Sequence, residues 1–80
     1  MSRVRDVVEV IARALADQPD AVEVTETERR DDSHIELKTG PGDLGKLIGR
    51  QGRTAAAVRT LATLTAEVEG RGATVDFLDE

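Results

Sequence analysis

Two glycines separated by two polar residues form the most informative feature of the sequence. Gly49 and Gly52 enclose Arg50 and Gln51, between a short and a longer segment of helical pattern. Glycine has no β-carbon, so it lets the chain turn sharply and lets the backbone of a second molecule come close. The free amides and positive dipole end of the second helix would point into this turn, where an anion is stabilised. The pattern therefore predicts a phosphate contact.

Basic side chains surround the turn. Lys46, Arg50 and Arg53 would neutralise phosphate, and Gln51 adds an uncharged donor. The chain has a net charge of −5, yet residues 44–66 contain four basic and no acidic residues, so the remainder carries −9. Because the field at a surface follows local charge, we expect one basic contact region on an acidic body. On charge alone, a solvated helix face explains the four basic residues equally well.

The first half of the chain predicts a helix followed by two strands. Apolar residues at helical spacing (Val4, Val7, Val8, Ile11 and Leu15) indicate a helix to about Ala16, capped by Ser2. Apolar and polar residues then alternate from Ala21 to about Glu28 and again over 34–39, with a polar turn over 29–33 between them.

The second half predicts two helices and a strand. Asp43 can cap a short helix from Leu44 to about Ile48, and a longer helix follows over about 53–68. The predicted buried stripe of the longer helix contains Val58, Leu61, Ala62, Thr65 and Val68, with Leu64 nearby. Alternation over 73–78 predicts the last strand. The predicted class is α+β, in the order α-β-β-α-α-β, with a three-stranded mixed sheet and helices on one face.

The run from Leu44 to Leu61 resembles a KH domain, and more closely the small stand-alone bacterial KH proteins of the KhpA (YlqC-like) family. The resemblance covers nearly the whole chain, and implies one KH domain over 1–80 of the type II arrangement. It implies a loop that clamps the backbone of about four nucleotides of single-stranded RNA. The bases would lie in a shallow apolar groove between the helices and an edge of the sheet.

The same resemblance gives the expected RNA-binding residues, which are Gly45, Lys46, Ile48, Gly49, Arg50, Gln51, Gly52 and Arg53. Leu44, Ile48, Ala55 and Val58 either line the groove or support it from the core. Many KH domains have a large aliphatic residue three positions after the second glycine, whereas this chain has Ala55. The smaller side chain puts the depth of the groove in question.

The resemblance also implies partners and a cellular role. It implies a homodimer, or a heterodimer with a second KH protein of the KhpB (Jag/EloR-like) type. It further implies post-transcriptional regulation or RNA chaperoning. The sequence has no apolar run of membrane length and no signal-peptide pattern at its start, so we expect a cytoplasmic location. The alternative is a KH-fold protein-interaction module that acts mainly through its partner.

Enzymatic and metal-dependent functions find little support in the sequence. Residues 40–45 fit the G-x-G-x-x-G pattern of dinucleotide sites, but the helix that follows is interrupted at Gly49 and the chain is too short for a doubly wound sheet. His34 is the only histidine and there is no cysteine, so we expect no metal site. We therefore expect a protein without cofactor, catalytic residues or membrane span.

Overall fold

The fold is described from a computed structural model, which describes residues 3–78. The described elements are α1 (Arg3–Leu15), β1 (Glu23–Glu28), β2 (Asp32–Lys38), α2 (Leu44–Ile48), α3 (Arg53–Val68) and β3 (Gly72–Phe77). Single turns of 3-10 helix, Pro19–Ala21 and Arg50–Gly52, connect α1 to β1 and α2 to α3. The predicted order is confirmed. The predicted cap at Ser2 lies outside the described residues.

The three strands form one mixed sheet in the order β1-β2-β3. Strand β2 pairs with β1 in antiparallel orientation and with β3 in parallel orientation, which confirms the predicted mixed sheet. Backbone hydrogen bonds between Arg29 and Asp32 close the hairpin, with an Arg29 N to Asp32 O distance of 2.7 Å. The polar turn is therefore shorter than the predicted segment 29–33, and β2 begins two residues earlier than predicted.

Both main helices cover the same face of the sheet. Alternate strand residues turn toward them and are buried, including Val24, Ile35, Leu37 and Val75. The opposite face carries exposed or half-exposed polar side chains, such as Glu36 and Asp76. The period of two along each strand thus produces one apolar and one wet face, which confirms the predicted α+β architecture.

Helix α3 buries only part of the stripe that hydrophobicity predicts, namely Val58 and Ala62. The residues that it buries are Ala55, Val58, Ala62 and Ala66. Leu61, Leu64 and Val68 are instead 46%, 54% and 76% exposed. Small alanine side chains let the helix axis lie close to α1 and the sheet, so α3 packs on its alanines while its larger apolar residues face solvent.

Candidate nucleic-acid interface

A sharp turn connects α2 to α3. Helix α2 ends at Gly49, whose φ and ψ angles are 77° and 171° and whose amide donates to the Gly45 carbonyl at 2.9 Å. Gln51 and Gly52 also have positive φ angles, 57° and 71°. Three residues with positive φ angles within four positions reverse the direction of the chain. This confirms the sharp turn that the glycine spacing predicts.

Helix α3 begins directly after this turn. Gly52 is its N-cap residue and provides no side chain to accept a hydrogen bond from the first-turn amides. The Arg53 amide donates to the Arg50 carbonyl. The amides that follow it in the first turn have no acceptor within the helix, as at any helix start. Backbone donors and the helix dipole therefore favour an anion at the turn.

The arginines of the turn differ in their surroundings. Arg50 is exposed, and its side chain has no hydrogen bond or ion pair with any residue among 3–78. The Nη2 of Arg53 donates to Oε1 of Gln51 at 3.1 Å, which orients the Gln51 amide at the surface. Arg50 thus provides a positive charge at the tip of the turn whose side chain has no partner among the described residues. Arg53 and Gln51 lie beside it and are hydrogen-bonded to each other.

Lys46, one turn of helix before the loop, has a partner that the sequence did not indicate. Its ammonium forms an ion pair with the Asp17 carboxylate. The hydrogen bond to Asp17 raises the pKa of Lys46 above its ordinary value, with a smaller electrostatic contribution from Asp43. Lys46 can therefore reach a phosphate only by leaving Asp17.

Asp43 holds Asp17 in this position. Asp43 is at the predicted cap position of α2, but the predicted capping role of its side chain is wrong, because the side chain makes no hydrogen bond to the first turn of α2. Its carboxylate is 2% exposed and accepts hydrogen bonds from the backbone amides of Asp17, at 3.2 Å, and Gln18, at 2.9 Å. The Gln18 side chain also donates to the Pro41 carbonyl at 2.7 Å. These contacts fasten the end of α1 to the beginning of α2.

No enclosed cavity is found among residues 3–78, beside α3 or elsewhere. Ala55 and Val58 are buried at 3% exposure each, so they support the expected groove from the core. Ile48 is half-buried and reaches the surface next to the loop. Gly45 is partly exposed, and open space surrounds the position of a β-carbon there.

The edge of β3 lies next to α3 and contacts it through Arg59. The Nε of Arg59 donates to the Val75 carbonyl at 3.3 Å, and its guanidinium carbon lies 5.1 Å from the centre of the Phe77 ring. The sequence showed Arg59 only as one member of a basic segment. Its contacts with β3 depend on the tertiary arrangement.

Metal and membrane sites are not found in the described part of the chain. Within residues 3–78, no group of three or more His, Cys, Asp or Glu residues is placed to hold a metal ion. None of the helices described here is long and apolar enough to cross a membrane.

Comparisons with known proteins agree on one family. The family model described as KhpA/KhpB, KH domain, matches residues 5–77. The chain is 47% identical over 73 residues to the RNA-binding protein KhpA of Caldanaerobacter subterraneus, covering 91% of this chain and 97% of that protein. It is 42% identical over 79 residues to the RNA-binding protein KhpA of Aquifex aeolicus, covering 99% and 100%. No solved structure matches the chain significantly.

Proposed function

Because the chain belongs to the KhpA/KhpB family of KH domains, as its sequence resemblance predicted, we propose that it binds single-stranded RNA through residues 49–52. The observation that carries this proposal is the turn itself. It places the exposed, unpaired Arg50 next to the uncapped start of α3. Relatives with the printed name RNA-binding protein support the choice of ligand.

The proposed mechanism is a clamp on the RNA backbone. A phosphate accepts hydrogen bonds from first-turn amides of α3, while Arg50 and Arg53 supply positive charge. Gly49 and Gly52 keep the backbone free of side chains, so that the sugar-phosphate chain approaches closely. With Lys46 as a third contact, about three phosphates are neutralised. The logarithm of the affinity should then fall with the logarithm of salt concentration at a slope near about −2.

A double variant, Arg50→Asp with Gln51→Asp, tests the clamp. Anisotropy of a short, labelled, random-sequence single-stranded RNA is measured at low salt, with a DNA strand of the same sequence in parallel. The control is Arg30→Asp with Thr27→Asp, which changes the net charge equally. It lies on the β1–β2 hairpin, at the opposite end of α3, which is about 24 Å long. Circular dichroism verifies that all variants fold.

We expect wild type and the control to bind, and the loop variant to lose binding at least ten-fold. Equal binding by loop variant and control would place the contact elsewhere. A salt slope near zero would also contradict the phosphate clamp, because neutralising phosphates releases counterions.

A second proposed function, pairing with another KH domain, is favoured by the exposed apolar residues of α3. Leu61, Leu64 and Val68 lie on one side of the helix, about 140–200° around the axis from Arg59. Large exposed apolar residues grouped on one surface are typical of protein interfaces. Pairing through this side would leave the loop and β3 edge open, so two weak RNA sites would gain avidity.

Sedimentation at several concentrations tests this surface. We expect the wild type to associate with increasing concentration and Leu64→Glu to remain monomeric with its fold intact. Thr63→Glu is the control, because Thr63 is also exposed on α3 but faces away from the three apolar residues. If Leu64→Glu and Thr63→Glu associate equally, α3 is not the pairing surface.

The cellular role, location and partner of the chain are proposed on the same family membership. We propose that the chain acts as one non-catalytic KH domain in the cytoplasm, as a post-transcriptional regulator or RNA chaperone. Its partner would be a second copy or a KH protein of the KhpB type, the other member of the family's name. Mixing the chain with each partner before sedimentation distinguishes the two.

A further inference from the structure

The contact between Arg59 and β3 suggests how a base is received beside the loop. We propose that Arg59 occupies the position of a nucleobase in the RNA-free protein. A base of bound RNA then displaces its guanidinium from Phe77 and Val75. The inference rests on the proposed RNA-binding function and adds to it the residues that meet a base.

Strand β3 has backbone groups at this edge that do not pair with another strand among the described residues. It is the last strand of the sheet and pairs only with β2 among the described strands. The Gly72 amide donates to the Asp31 carbonyl and the Leu78 amide donates to the Leu37 carbonyl, both at 2.9 Å. Since backbone groups alternate in direction along a strand, those of Val75 point away from β2. Its amide and carbonyl thus form one donor and one acceptor at the open edge.

Phe77 supplies a flat apolar surface next to these groups. It is the only Phe, Tyr or Trp residue in the chain, and it is half-buried. Arg59 covers its ring at 5.1 Å from the centre and donates to the Val75 carbonyl at the same time. A guanidinium is planar, delocalised and rich in N–H donors. A nucleobase has the same combination of a flat face for stacking and donors at its edge.

The position along α3 suits a base of clamped RNA. Arg59 lies six residues after Arg53, or about 9 Å along the helix, within the reach of a four-nucleotide clamp. Both belong to the segment 44–66, which has no acidic residue. The displaced guanidinium therefore stays close to the RNA backbone and can pair with a phosphate. The contacts that it leaves are one part-buried hydrogen bond and one ring contact, and a base could replace both with contacts of the same kind.

Nuclear magnetic resonance of isotope-labelled protein provides the first test. Unlabelled hexanucleotides of adenosine, cytidine and uridine are the probes. Because the chain has a single phenylalanine, its ring signals are assigned without ambiguity. We expect saturating RNA to shift the Phe77 ring signals upfield, to produce contacts between ring and base protons, and to shift the Arg59 Nε–H signal.

The amide signals of residues 49–52 distinguish a failure of the base exchange from a failure of RNA binding. Shifts at residues 49–52 without any change at Phe77 and Arg59 would overturn the exchange while leaving the RNA clamp intact. If no probe shifts either region, the proposed function fails and this inference fails with it.

Two variants provide a second test, after circular dichroism has established that they fold. Phe77→Leu keeps an apolar side chain but removes the stacking surface, so we expect at least about five-fold weaker binding. Arg59→Lys keeps the charge but removes the planar group that competes with the base. We expect unchanged or modestly tighter binding with the same salt slope. A ten-fold loss in Arg59→Lys would show that the guanidinium stays in place as a direct contact, which contradicts the exchange.

Discussion

Thr54 fills the space that a side chain on Gly49 would need. An ideal β-carbon on Gly49 lies 2.8 Å from Cβ of Thr54 and closer still to its Oγ1. Gly49 also has a φ angle of 77°, which residues with side chains rarely adopt. Because Thr54 belongs to the first turn of α3, the end of α2 packs directly against the start of α3. This close approach gives the turn its shape.

Three glycine-to-alanine variants distinguish the two reasons for glycine in the turn, which are the positive φ angle and the lack of space for a β-carbon. Gly45→Ala adds a β-carbon in open space inside α2, so stability should be unchanged or rise by about 0.5–1 kcal/mol. Gly52→Ala meets no neighbour but has a φ angle of 71°, which should cost about 1–2 kcal/mol. Gly49→Ala adds the clash with Thr54 and should cost more than Gly52→Ala.

Thermal unfolding and RNA anisotropy check this series. We expect stability and affinity to fall together in the order Gly45→Ala, Gly52→Ala, Gly49→Ala. If Gly49→Ala were as stable as Gly45→Ala, the packing of Thr54 on the turn would have to be different. Loss of RNA binding in Gly45→Ala without loss of stability would instead show that RNA contacts the exposed surface of α2.

If Lys46 binds a phosphate of RNA as proposed, Asp17 competes for it, since both offer an anionic oxygen to the same ammonium group. We expect Asp17→Asn to bind single-stranded RNA about two- to five-fold more tightly, the range that an exposed ion pair allows. Asp20→Asn is the matched control. It removes the same charge from the neighbouring turn, where Asp20 has no ion pair with any described residue. Equal affinities for the two variants would show that Lys46 does not reach the RNA.

Asp43 should be the most important polar residue for the stability of the site. Asp43→Ala leaves the amides of Asp17 and Gln18 without their acceptor. Hydrogen bonds to charged groups contribute about 1.5–3 kcal/mol each, so we expect the melting temperature to fall by about 10 °C or more. Asp43→Asn keeps one acceptor oxygen and should lose less. The exposed Asp31, replaced by alanine, is the control. A melting temperature of Asp43→Ala within about 2 °C of the control would contradict the anchoring role.

The sequence predicts the elements and the loop because both depend on local properties. Hydrophobic period and glycine placement determine where helices, strands and the turn at 49–52 occur. The role of Asp43 was missed because its partners are 25 and 26 residues away. A carboxylate just before a helix has the same sequence pattern whether it caps that helix or anchors another segment.

The buried side of α3 was predicted correctly at Val58 and Ala62 and wrongly at Leu61 and Val68, for a different reason. A stripe through Leu61 and Val68 and a stripe through Ala62 and Ala66 have the same helical period, so periodicity cannot choose between them. Hydrophobicity favours the larger residues, whereas close packing against α1 and the sheet favours alanine. The pairing surface proposed for α3 would explain the exposed leucines.

Glu9 gives α1 a pH-dependent contribution to stability. Its carboxylate accepts hydrogen bonds from Arg5 at 2.9 Å and Arg13 at 3.2 Å, one turn away on either side. The hydrogen bond from Arg5, followed by the weaker effects of Arg13, holds the pKa of Glu9 below its ordinary value of 4.5. A lowered pKa in the folded state means that the stabilisation is present above pH 4.5 and is lost as the pH falls through the lowered value.

We therefore expect Glu9→Gln to melt a few degrees below wild type at pH 7, with the gap closing as the pH falls below the ordinary range of glutamate. Melting curves of both proteins between neutral and acidic pH measure this gap. Glu67→Gln is the control, because Glu67 is an exposed carboxylate on α3 without an ion pair among residues 3–78. A Glu9→Gln gap that stays constant across this range would mean that the variant acts through packing of α1, since loss of an ion pair must disappear when the wild-type carboxylate is protonated.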